Sequence, residues 1–263
     1  MPLPRPKKRL GQHFLTDRNI LAAVADALGV GPDDTVVEVG PGRGSLTDVL
    51  AERAGRVVAV ELDAELVPHL RESLPANVSV VQADARATAP AQVLGGCSPY
   101  LMAGNLPYYA ALPILRTFLE SECPPMRAAF LVQREVAENI CAAPGAMGLA
   151  SLGVQLFGSP RIVRLVRPGS FSPPPKVTSA LVAVEVYERP AEGVDDTPAF
   201  FRLARAAFSA PRKQLRNTLA GGLSIPPAQA EALLKVAGID PTRRAETLAL
   251  AEWGALYRAW RAG

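Results

Sequence analysis

The stretch Val36-Val37-Glu38-Val39-Gly40-Pro41-Gly42-Arg43-Gly44 decides the fold of this chain. An apolar, β-branched run enters a glycine-rich turn, and a helix-forming segment follows over residues 45–53. β-Branched residues favour strands, and glycines let a ligand approach the backbone where no side chain intervenes. The stretch therefore predicts a strand, a ligand-binding turn and a helix in succession.

The same alternation continues through the first two-thirds of the chain. Strands are predicted at residues 35–39, 57–61, 78–82, 100–104 and 128–132, and helices at 45–53, 64–74, 113–120 and 135–142. This order predicts an α/β, Rossmann-like fold, in which helices cover both faces of a parallel sheet. Residues 161–166 and 177–187 predict two more strands, which we expect to pair antiparallel at the sheet edge because no helix separates them.

A second domain is predicted beyond residue 188. Residues 188–197 are polar and contain Pro190 and Gly193, as linkers between domains commonly do. Beyond them the pattern predicts helices at 198–209, 213–219, 226–237 and 245–260. We therefore expect residues 1–188 to form the α/β domain, with a basic segment at 1–20, and residues 189–263 to form a small all-helical domain.

Composition excludes several classes of protein. The chain has 263 residues, of which 49% are apolar, but it has neither an apolar run long enough to span a membrane nor a signal-peptide core. We expect a cytoplasmic, monomeric protein without contact with a membrane. The three cysteines form no CxxC pair, and His13 and His69 are far apart. We therefore expect no zinc site, no other metal and no disulfide framework.

Positive charge is concentrated at the two ends of the chain. Residues 1–20 carry five basic and one acidic group, residues 21–188 carry 12 and 17, and residues 189–263 carry 11 and 7. Arg212, Lys213 and Arg216 form a cluster without an acid. An acidic body with basic ends suits a polyanion held at the ends, although a solvated basic face is the alternative interpretation.

Polar residues follow the predicted strands at equivalent places. Gly40, Glu61, Asp84 and Asn105 each lie at or just after the carboxyl end of a strand. In an open parallel sheet those ends line one crevice, where ligands bind. A carboxylate at Glu61 suits the two hydroxyls of a ribose, and one at Asp84 suits the amine of an adenine.

Two cofactors and a purely structural turn compete for this crevice. A dinucleotide normally requires G-x-G-x-x-G, with a helix N-terminus facing the pyrophosphate. Here the spacing is G-x-G-x-G, from Gly40 to Gly44. The pattern E-x-G-x-G-x-G resembles the first motif of Rossmann-like methyltransferases, whose cofactor S-adenosylmethionine (SAM) has no phosphate. We therefore favour SAM.

The tetrad Asn105-Leu106-Pro107-Tyr108 predicts the chemistry. Methyl transfer to an aromatic amine needs alignment more than it needs a base, because the sulfonium is already a good leaving group. The Asn105 side-chain oxygen and the Leu106 carbonyl can accept both amine hydrogens, with Pro107 restricting the backbone. Tyr108 can stack on the base. The alternative is an ordinary turn that contains a core tyrosine.

The tetrad and four further segments carry a resemblance that runs nearly end to end. The segments are residues 9–15 (RLGQHFL), 171–180 (FSPPPKVTSA), 212–219 (RKQLRNTL) and 244–248 (RAETL). Together they resemble the rRNA adenine N6-dimethyltransferase family, in its bacterial KsgA/RsmA branch. The resemblance implies SAM-dependent dimethylation of two adjacent adenosines in the 3′-terminal hairpin loop of 16S rRNA, on an assembling 30S subunit.

Residue roles follow from the resemblance, position by position. It implies SAM contacts at Gln12, His13, Leu15, Gly40, Gly42, Glu61, Leu62, Asp84, Ala85 and Asn105. It implies that Asn105, Leu106, Pro107 and Tyr108 hold the target base and that Phe171 packs on its other side. Lys176, Arg212, Lys213 and Arg216 are the expected RNA contacts. Lys7, Lys8 and Arg9 form either a phosphate clamp or a disordered tail.

Two departures and two rival functions remain at this level. Tyr109 stands where the family commonly has Asn, and His13 stands where many members have Asn. One rival is the Erm family, which methylates large-subunit rRNA, and the PPPKVTSA and RKQLRNTL segments favour the small-subunit branch instead. The other rival is a ribosome-assembly factor without catalysis, against which the complete set of Gly40, Glu61, Asp84 and Asn105 argues.

Overall fold

The structure, a computed structural model, describes residues 6–7 and 10–262. The basic segment predicted at 1–20 is therefore described in part. Arg5, Lys8 and Arg9 lie outside the described residues, so their expected role as a clamp or a tail is not addressed by the structure.

A seven-stranded sheet forms the centre of the fold. Together with a separate two-stranded ribbon, the described residues form these strands: β1 (Phe14–Leu15), β2 (Thr35–Val39), β3 (Arg56–Glu61), β4 (Val78–Gln82), β5 (Leu101–Asn105), β6 (Arg127–Gln133), β7 (Gly158–Val166), β8 (Phe171–Ser172) and β9 (Ser179–Val186). The sheet order is β4-β3-β2-β5-β6-β9-β7, and β1 pairs with β8 in a separate two-stranded ribbon. Strands β2 to β6 run parallel, and β9 is antiparallel to β6.

Helices connect the parallel strands and predominate in the part of the chain that follows the sheet. They are α1 (Arg18–Leu28), α2 (Ser45–Ala51), α3 (Val67–Ser73), α4 (Pro90–Leu94), α5 (Ala111–Leu119), α6 (Arg134–Ile140), α7 (Leu149–Gln155), α8 (Thr197–Ala207), α9 (Leu215–Leu223), α10 (Pro227–Val236) and α11 (Leu250–Ala262). The α/β, Rossmann-like prediction is confirmed, and the order of the parallel strands reverses beside β2, between β3 and β5.

Helix α1 was not predicted from the sequence, although its signals are present. The Asp17 side chain accepts a hydrogen bond from the backbone of Asn19 at the helix start, and Gly29 ends the helix in the left-handed region at φ 59°. The buried residues Ile20, Leu21, Val24 and Leu28 recur at helical spacing. They pack into the same core as the central strands.

The chain divides into two compact units. The first comprises the residues up to Ala137 together with Ser159–Val186, and it contains the whole sheet apart from Gly158. The second comprises Glu138–Gly158 and the residues from Tyr187 onward. Its helices bury Phe200, Trp253 and Tyr257. The division at residue 187 is next to the predicted boundary at 188, but no local pattern indicated that residues 138–158 cluster with the helical unit.

The expectation of no disulfide framework did not anticipate one cysteine pair. Cys97 and Cys123 are bonded, with their Cα atoms 5.7 Å apart, whereas Cys141 is a free thiol. Cys97 precedes β5 and Cys123 precedes β6. Because β5 and β6 are parallel neighbours, the loops before them meet at the same edge of the sheet. The sequence did not indicate this proximity, because the two cysteines are separated by 26 residues along the chain.

Two negative findings apply to the described part of the chain. Within residues 6–7 and 10–262, no helix combines the length and the apolar character that a membrane crossing needs. In the same residues, no three or more His, Cys, Asp or Glu side chains are grouped as metal ligands.

Candidate functional site

A pocket lies where the strand order reverses, at the carboxyl ends of β2, β3, β4 and β5. It is lined by residues from the four strand ends and by residues 10–14, which we call the strap. Open α/β sheets bind ligands at this topological switch point, because the connections there diverge to opposite faces. The fold therefore places one crevice where the sequence predicted one.

The glycine-rich turn forms the floor of the pocket. Gly40 has φ +73° and donates its backbone N–H to the Val60 carbonyl at 3.0 Å, which joins the turn to β3. Gly42 has φ +58°, and a Cβ there would lie 2.7 Å from the Phe14 ring of the strap. Only glycine satisfies both the left-handed backbone and this close approach.

Glu61 is held firmly at the end of β3. Its Oε2 accepts a hydrogen bond from the Gly42 N–H at 3.1 Å, and its Oε1 accepts one from the Asp63 N–H at 2.7 Å. The residue is 6% exposed, and this burial raises the pKa of its carboxyl while the backbone hydrogen bonds oppose the rise. These two bonds orient the carboxylate and leave further acceptor positions for hydroxyl donors.

Asp84 has a partner that the sequence analysis did not anticipate. Its carboxylate accepts hydrogen bonds from Arg86, with Nε to Oδ1 at 2.9 Å and Nη2 to Oδ2 at 2.6 Å. The Arg86 hydrogen bond is the main reason that the pKa of Asp84 lies below its usual value. A carboxylate has about four acceptor positions, so an amine can share it with Arg86.

The charges in the pocket favour a sulfonium over a pyrophosphate. Among the described lining residues the acids are Glu61 and Asp84, and the one arginine, Arg86, is paired with Asp84. A dinucleotide would bring negative charge towards these carboxylates, whereas SAM brings a positive charge and no phosphate. The donor and acceptor groups at the four strand ends therefore fit SAM.

The Asn105 amide is oriented by the strap. Its Nδ2 donates to the His13 carbonyl at 2.7 Å, so Oδ1 is the end of the amide available as an acceptor. The backbone continues in a fixed path, since the Leu106 N–H donates to the Leu131 carbonyl at 3.1 Å. The Pro107 carbonyl accepts the Ala110 N–H at 2.9 Å and closes the turn into α5.

Tyr108 is fixed at both its hydroxyl and its ring. The hydroxyl is 2.7 Å from Oγ of the buried Ser179, and the ring stacks on His13 with centroids 5.9 Å apart and an interplanar angle of 24°. His13 Nδ1 is 2.8 Å from the Pro173 carbonyl. Because a carbonyl only accepts, His13 Nδ1 carries the proton in this contact. The aromatic face next to Asn105 is thus preorganised.

Most predicted site residues line the pocket. They are Gln12, His13, Gly40, Gly42, Glu61, Leu62, Asp84, Ala85, Asn105, Leu106, Pro107 and Tyr108. Leu15 is not among the lining residues, and its side chain is 4% exposed in the core of the α/β unit. Phe171 pairs with Leu15 across the β1–β8 ribbon and is 3% exposed in the same core. The structure therefore does not bring Phe171 to the expected face of the target base.

None of the predicted RNA contacts is among the residues that line the pocket. Lys176 is exposed in the turn between β8 and β9, the turn whose Pro173 carbonyl contacts His13. Arg212 and Lys213 are exposed just before α9 in the helical unit. Arg216 is half-buried on α9, and its Nε donates to Gln214 at 3.1 Å. Their contact with RNA stays a prediction.

Sequence reasoning missed several residues that shape the pocket. Phe14 of the strap lies beneath the Arg43 guanidinium, whose Cζ is 4.6 Å from the ring centroid. Tyr109, noted only as a departure, lines the pocket, is 52% exposed and lies 6.0 Å from the Arg86 Cζ. The spacing Asp84-x-Arg86 was the available signal for the ion pair, because alternate residues after a strand share a side.

Comparison with known proteins identifies the family. Residues 4–260 match the family described as Ribosomal RNA adenine dimethylase. The chain belongs to this family. Ribosomal RNA small subunit methyltransferase A from Dehalococcoides mccartyi is 46% identical over 95% of this chain and 86% of that protein. The protein of the same name from Geobacter metallireducens is 42% identical over 98% of this dimethylase and 96% of its own length.

Solved structures agree with the fold. The 23S rRNA methyltransferase ErmE is similar with a TM-score of 0.74 and 26% identity, over 94% of this chain and 98% of that one. A dimethyladenosine transferase from Plasmodium falciparum is similar in fold, with a TM-score of 0.80 and 21% identity over 95% of this chain and 98% of its own. The family match and the two relatives confirm the predicted family and the enzyme class, a SAM-dependent rRNA adenine dimethyltransferase.

A buried acid beneath the glycine turn generates a prediction about pH. Glu38 is 1% exposed, and burial, with smaller contributions from Glu61 and Asp48, raises the pKa of its carboxyl from 4.5 to about 8. Between these values the unfolded chain releases a proton that the folded chain keeps. The free energy of unfolding therefore falls as pH rises through this window, by about 1.4 kcal/mol per unit of pKa difference.

We expect Glu38→Gln to remove this pH dependence. The free energy of unfolding of the variant, relative to wild type, should increase steadily from pH 5 to pH 8, because glutamine does not titrate. Denaturant unfolding at four pH values in that range measures the difference. A constant difference across the range would show that Glu38 does not keep its proton in the folded state.

Proposed function

We propose that this dimethylase transfers methyl groups from SAM to two adjacent adenosines in the 3′-terminal hairpin loop of 16S rRNA, during assembly of the small subunit. We further propose that it acts in the cytoplasm as a monomer. A relative named as a small-subunit methyltransferase is 46% identical to this chain, whereas ErmE is 26% identical. The FSPPPKVTSA and RKQLRNTL segments also favour the small-subunit branch over the Erm alternative.

The oriented Asn105 amide carries this proposal. Its nitrogen is taken by the His13 carbonyl, so its oxygen is the atom available to accept a hydrogen from a substrate amine. Asn105 ends β5, the strand that pairs with the glycine-turn strand β2. A neutral acceptor next to a bound sulfonium suits an exocyclic aromatic amine, the least basic of the amines that such an enzyme could methylate.

The pocket residues would divide the work as follows. Glu61 and Asp84 would hold the ribose and the adenine of SAM, which would supply an electrophilic methyl group on a good leaving group. The Asn105 Oδ1 and the Leu106 carbonyl accept the two hydrogens of the target amine, which draws its lone pair out of conjugation with the ring. Tyr108 stacks on the base, an interaction worth about 1–3 kcal/mol in single-strand recognition.

Dimethylation needs no additional group. After the first transfer the amine keeps one hydrogen, and one of the two acceptors is sufficient to hold it for the second transfer. The amine nitrogen becomes acidic once it is alkylated, so its surplus proton passes to water without a strong base. No Lewis acid is needed either, because the leaving group is already activated, and we include no metal in the mechanism.

RNA binding is assigned to the basic residues of the helical unit. Arg212 and Lys213 are exposed, and Arg216 lies in the first turn of α9, the helix that follows them. Lys7, expected either as a phosphate clamp or as part of a tail, is instead engaged in ion pairs with Asp63 at 2.7 Å and Glu65 at 2.8 Å. We therefore leave Lys7 out of the RNA-binding set.

The substrate assignment has a direct test. The protein and SAM labelled in the methyl group are incubated with undermethylated small subunits and, separately, with protein-free large-subunit rRNA. We expect label in the small-subunit rRNA alone, recovered as dimethyladenosine. Label in the large-subunit rRNA alone would establish the Erm-type alternative, and SAM binding without label in either RNA would favour an assembly factor without catalysis.

Asn105→Ala tests the assigned acceptor. We expect the methylation rate at saturating SAM to fall by about 10²-fold or more, as when a positioned hydrogen-bonding group is removed from an active site. SAM affinity should remain within about tenfold of wild type, since the variant lacks one hydrogen bond to the strap. Asn19→Ala, at an exposed position on α1, is the matched control. Undiminished dimethyladenosine formation would refute the assignment.

Neutralising the basic cluster tests the RNA-binding surface. The triple variant Arg212→Gln, Lys213→Gln and Arg216→Gln should bind RNA more weakly, with a salt dependence reduced by about 0.7–0.9 for each phosphate that the variant no longer binds. Filter binding across a range of salt concentrations measures the slope. The control is the triple variant of the exposed Arg56, Arg189 and Lys235, which removes the same charge. Equal slopes in the two variants would contradict the assignment.

A further inference from the structure

A clasp of three side chains joins the strap to the loop after β3. Asp63 accepts hydrogen bonds from Lys7 Nζ at 2.7 Å and from Gln12 Nε2 at 3.0 Å, one on each carboxylate oxygen. The Lys7 backbone N–H donates in turn to Gln12 Oε1 at 2.8 Å. Lys7, Gln12 and Asp63 thus form a closed ring of contacts.

Asp63 is buried, so the clasp is the means by which its charge is tolerated. The residue is 4% exposed. Burial alone would raise the pKa of its carboxyl, but the hydrogen bonds from Lys7 and Gln12 lower it below the ordinary value. A buried carboxylate that loses its cationic partner is strongly disfavoured. If the strap and Lys7 moved away, Asp63 would lose its cationic partner and the Gln12 amide, and of its hydrogen bonds in the structure it would keep the one from the Glu65 N–H at 3.1 Å.

Asp63 also orients Glu61, the residue that is predicted to bind the ribose. The Asp63 N–H donates to Glu61 Oε1 at 2.7 Å, while the Asp63 side chain holds the strap. One residue therefore connects the carboxylate at the end of β3 to the segment that crosses the pocket. Asp63 therefore couples movement of the strap to the orientation of Glu61.

The other side of the strap contacts the proposed target-base groups. The His13 carbonyl accepts the Asn105 amide, and the His13 ring stacks on Tyr108. Gln12 and His13 are consecutive, so the clasp lies immediately next to these contacts. The strap runs from the end of β3 to the end of β5 and passes over the end of the glycine-turn strand β2.

We propose that the clasp of Lys7, Gln12 and Asp63 latches the strap over bound SAM and sets how long the cofactor stays. Asp63 is a positioning residue that acts through the strap and through Glu61. This inference rests on the proposed use of the pocket for SAM, and it assigns a role to two residues, Lys7 and Asp63, outside the predicted site. Opening of the clasp is the step that admits and releases the cofactor.

The clasp should act on cofactor binding more than on methyl transfer. Its side chains contact the strap at Gln12 and the β3 loop, whereas the backbone of Asn105 and Leu106 is positioned by β5 and β6. The contact of the His13 carbonyl with the Asn105 amide belongs to the closed strap, which saturating SAM restores in a clasp variant. We therefore expect clasp variants to raise the KM for SAM and its dissociation rate with a much smaller effect on kcat. A residue needed only for folding would change both together.

The test uses Lys7→Met, Asp63→Asn and the double variant in the full chain. Calorimetry and competition stopped-flow give the affinity and the dissociation rate of SAM in the absence of RNA. We expect each single change to weaken binding about tenfold, as for loss of a charged hydrogen bond. The double variant should bind SAM no more weakly than the single variant with the lower affinity, because both changes open the same clasp.

An exposed ion pair on α10 provides the matched control. Lys235→Met removes the contact between Lys235 and Glu231 and should leave SAM binding unchanged. Single variants that bind SAM within twofold of the wild-type affinity would overturn the proposal. Losses of affinity that multiply in the double variant would overturn it as well. Lys7→Met carries the test if Asp63→Asn fails to fold. Because binding is measured without RNA, a wrong RNA target would not affect the result, whereas absent SAM binding by wild type would refute both proposals.

Discussion

The parallel pairing of β2 with β3 on one side and β5 on the other is the constraint on which the rest of the structure depends. Val39 is in register with Val60 and with Gly104, so Gly40, Glu61 and Asn105 follow at one level of the sheet. Strand pairing alone therefore brings these three residues together. The glycines keep this level free of side chains, and the acids and the amide supply its directional chemistry.

A second element turns this crevice into a site for two substrates. The strap crosses the strand ends and gives one backbone carbonyl to Asn105 and one aromatic ring to Tyr108. It thereby fixes the acceptor end of the amide and the plane of the ring before any ligand arrives. Preorganisation of this kind suits a reaction whose barrier is lowered mainly by alignment. The clasp at Asp63 extends the same segment to the cofactor side.

Local sequence patterns predicted the features that depend on residues close to one another in the sequence. Strand–turn–helix order, the glycine turn and the residues at strand ends were all predictable, because parallel topology converts sequence order into position. Partners distant in sequence were not predictable. Asp63 with Lys7, Tyr108 with Ser179 and Cys97 with Cys123 are separated by at least 26 residues, and only the folded sheet brings them together. Phe171 differs from its predicted place for another reason: the motif suggested a position at the base, whereas pairing with Leu15 places the ring in the core.

The most direct test of the account is a crystal structure of the protein with S-adenosylhomocysteine. We predict that the ribose hydroxyls lie within hydrogen-bonding distance of Glu61, the adenine amine meets Asp84, and the strap covers the ligand with Lys7 and Gln12 still on Asp63. The sulfur should point towards Asn105. A ribose bound away from Glu61, or a ligand outside the crevice at the ends of β2 to β5, would contradict it.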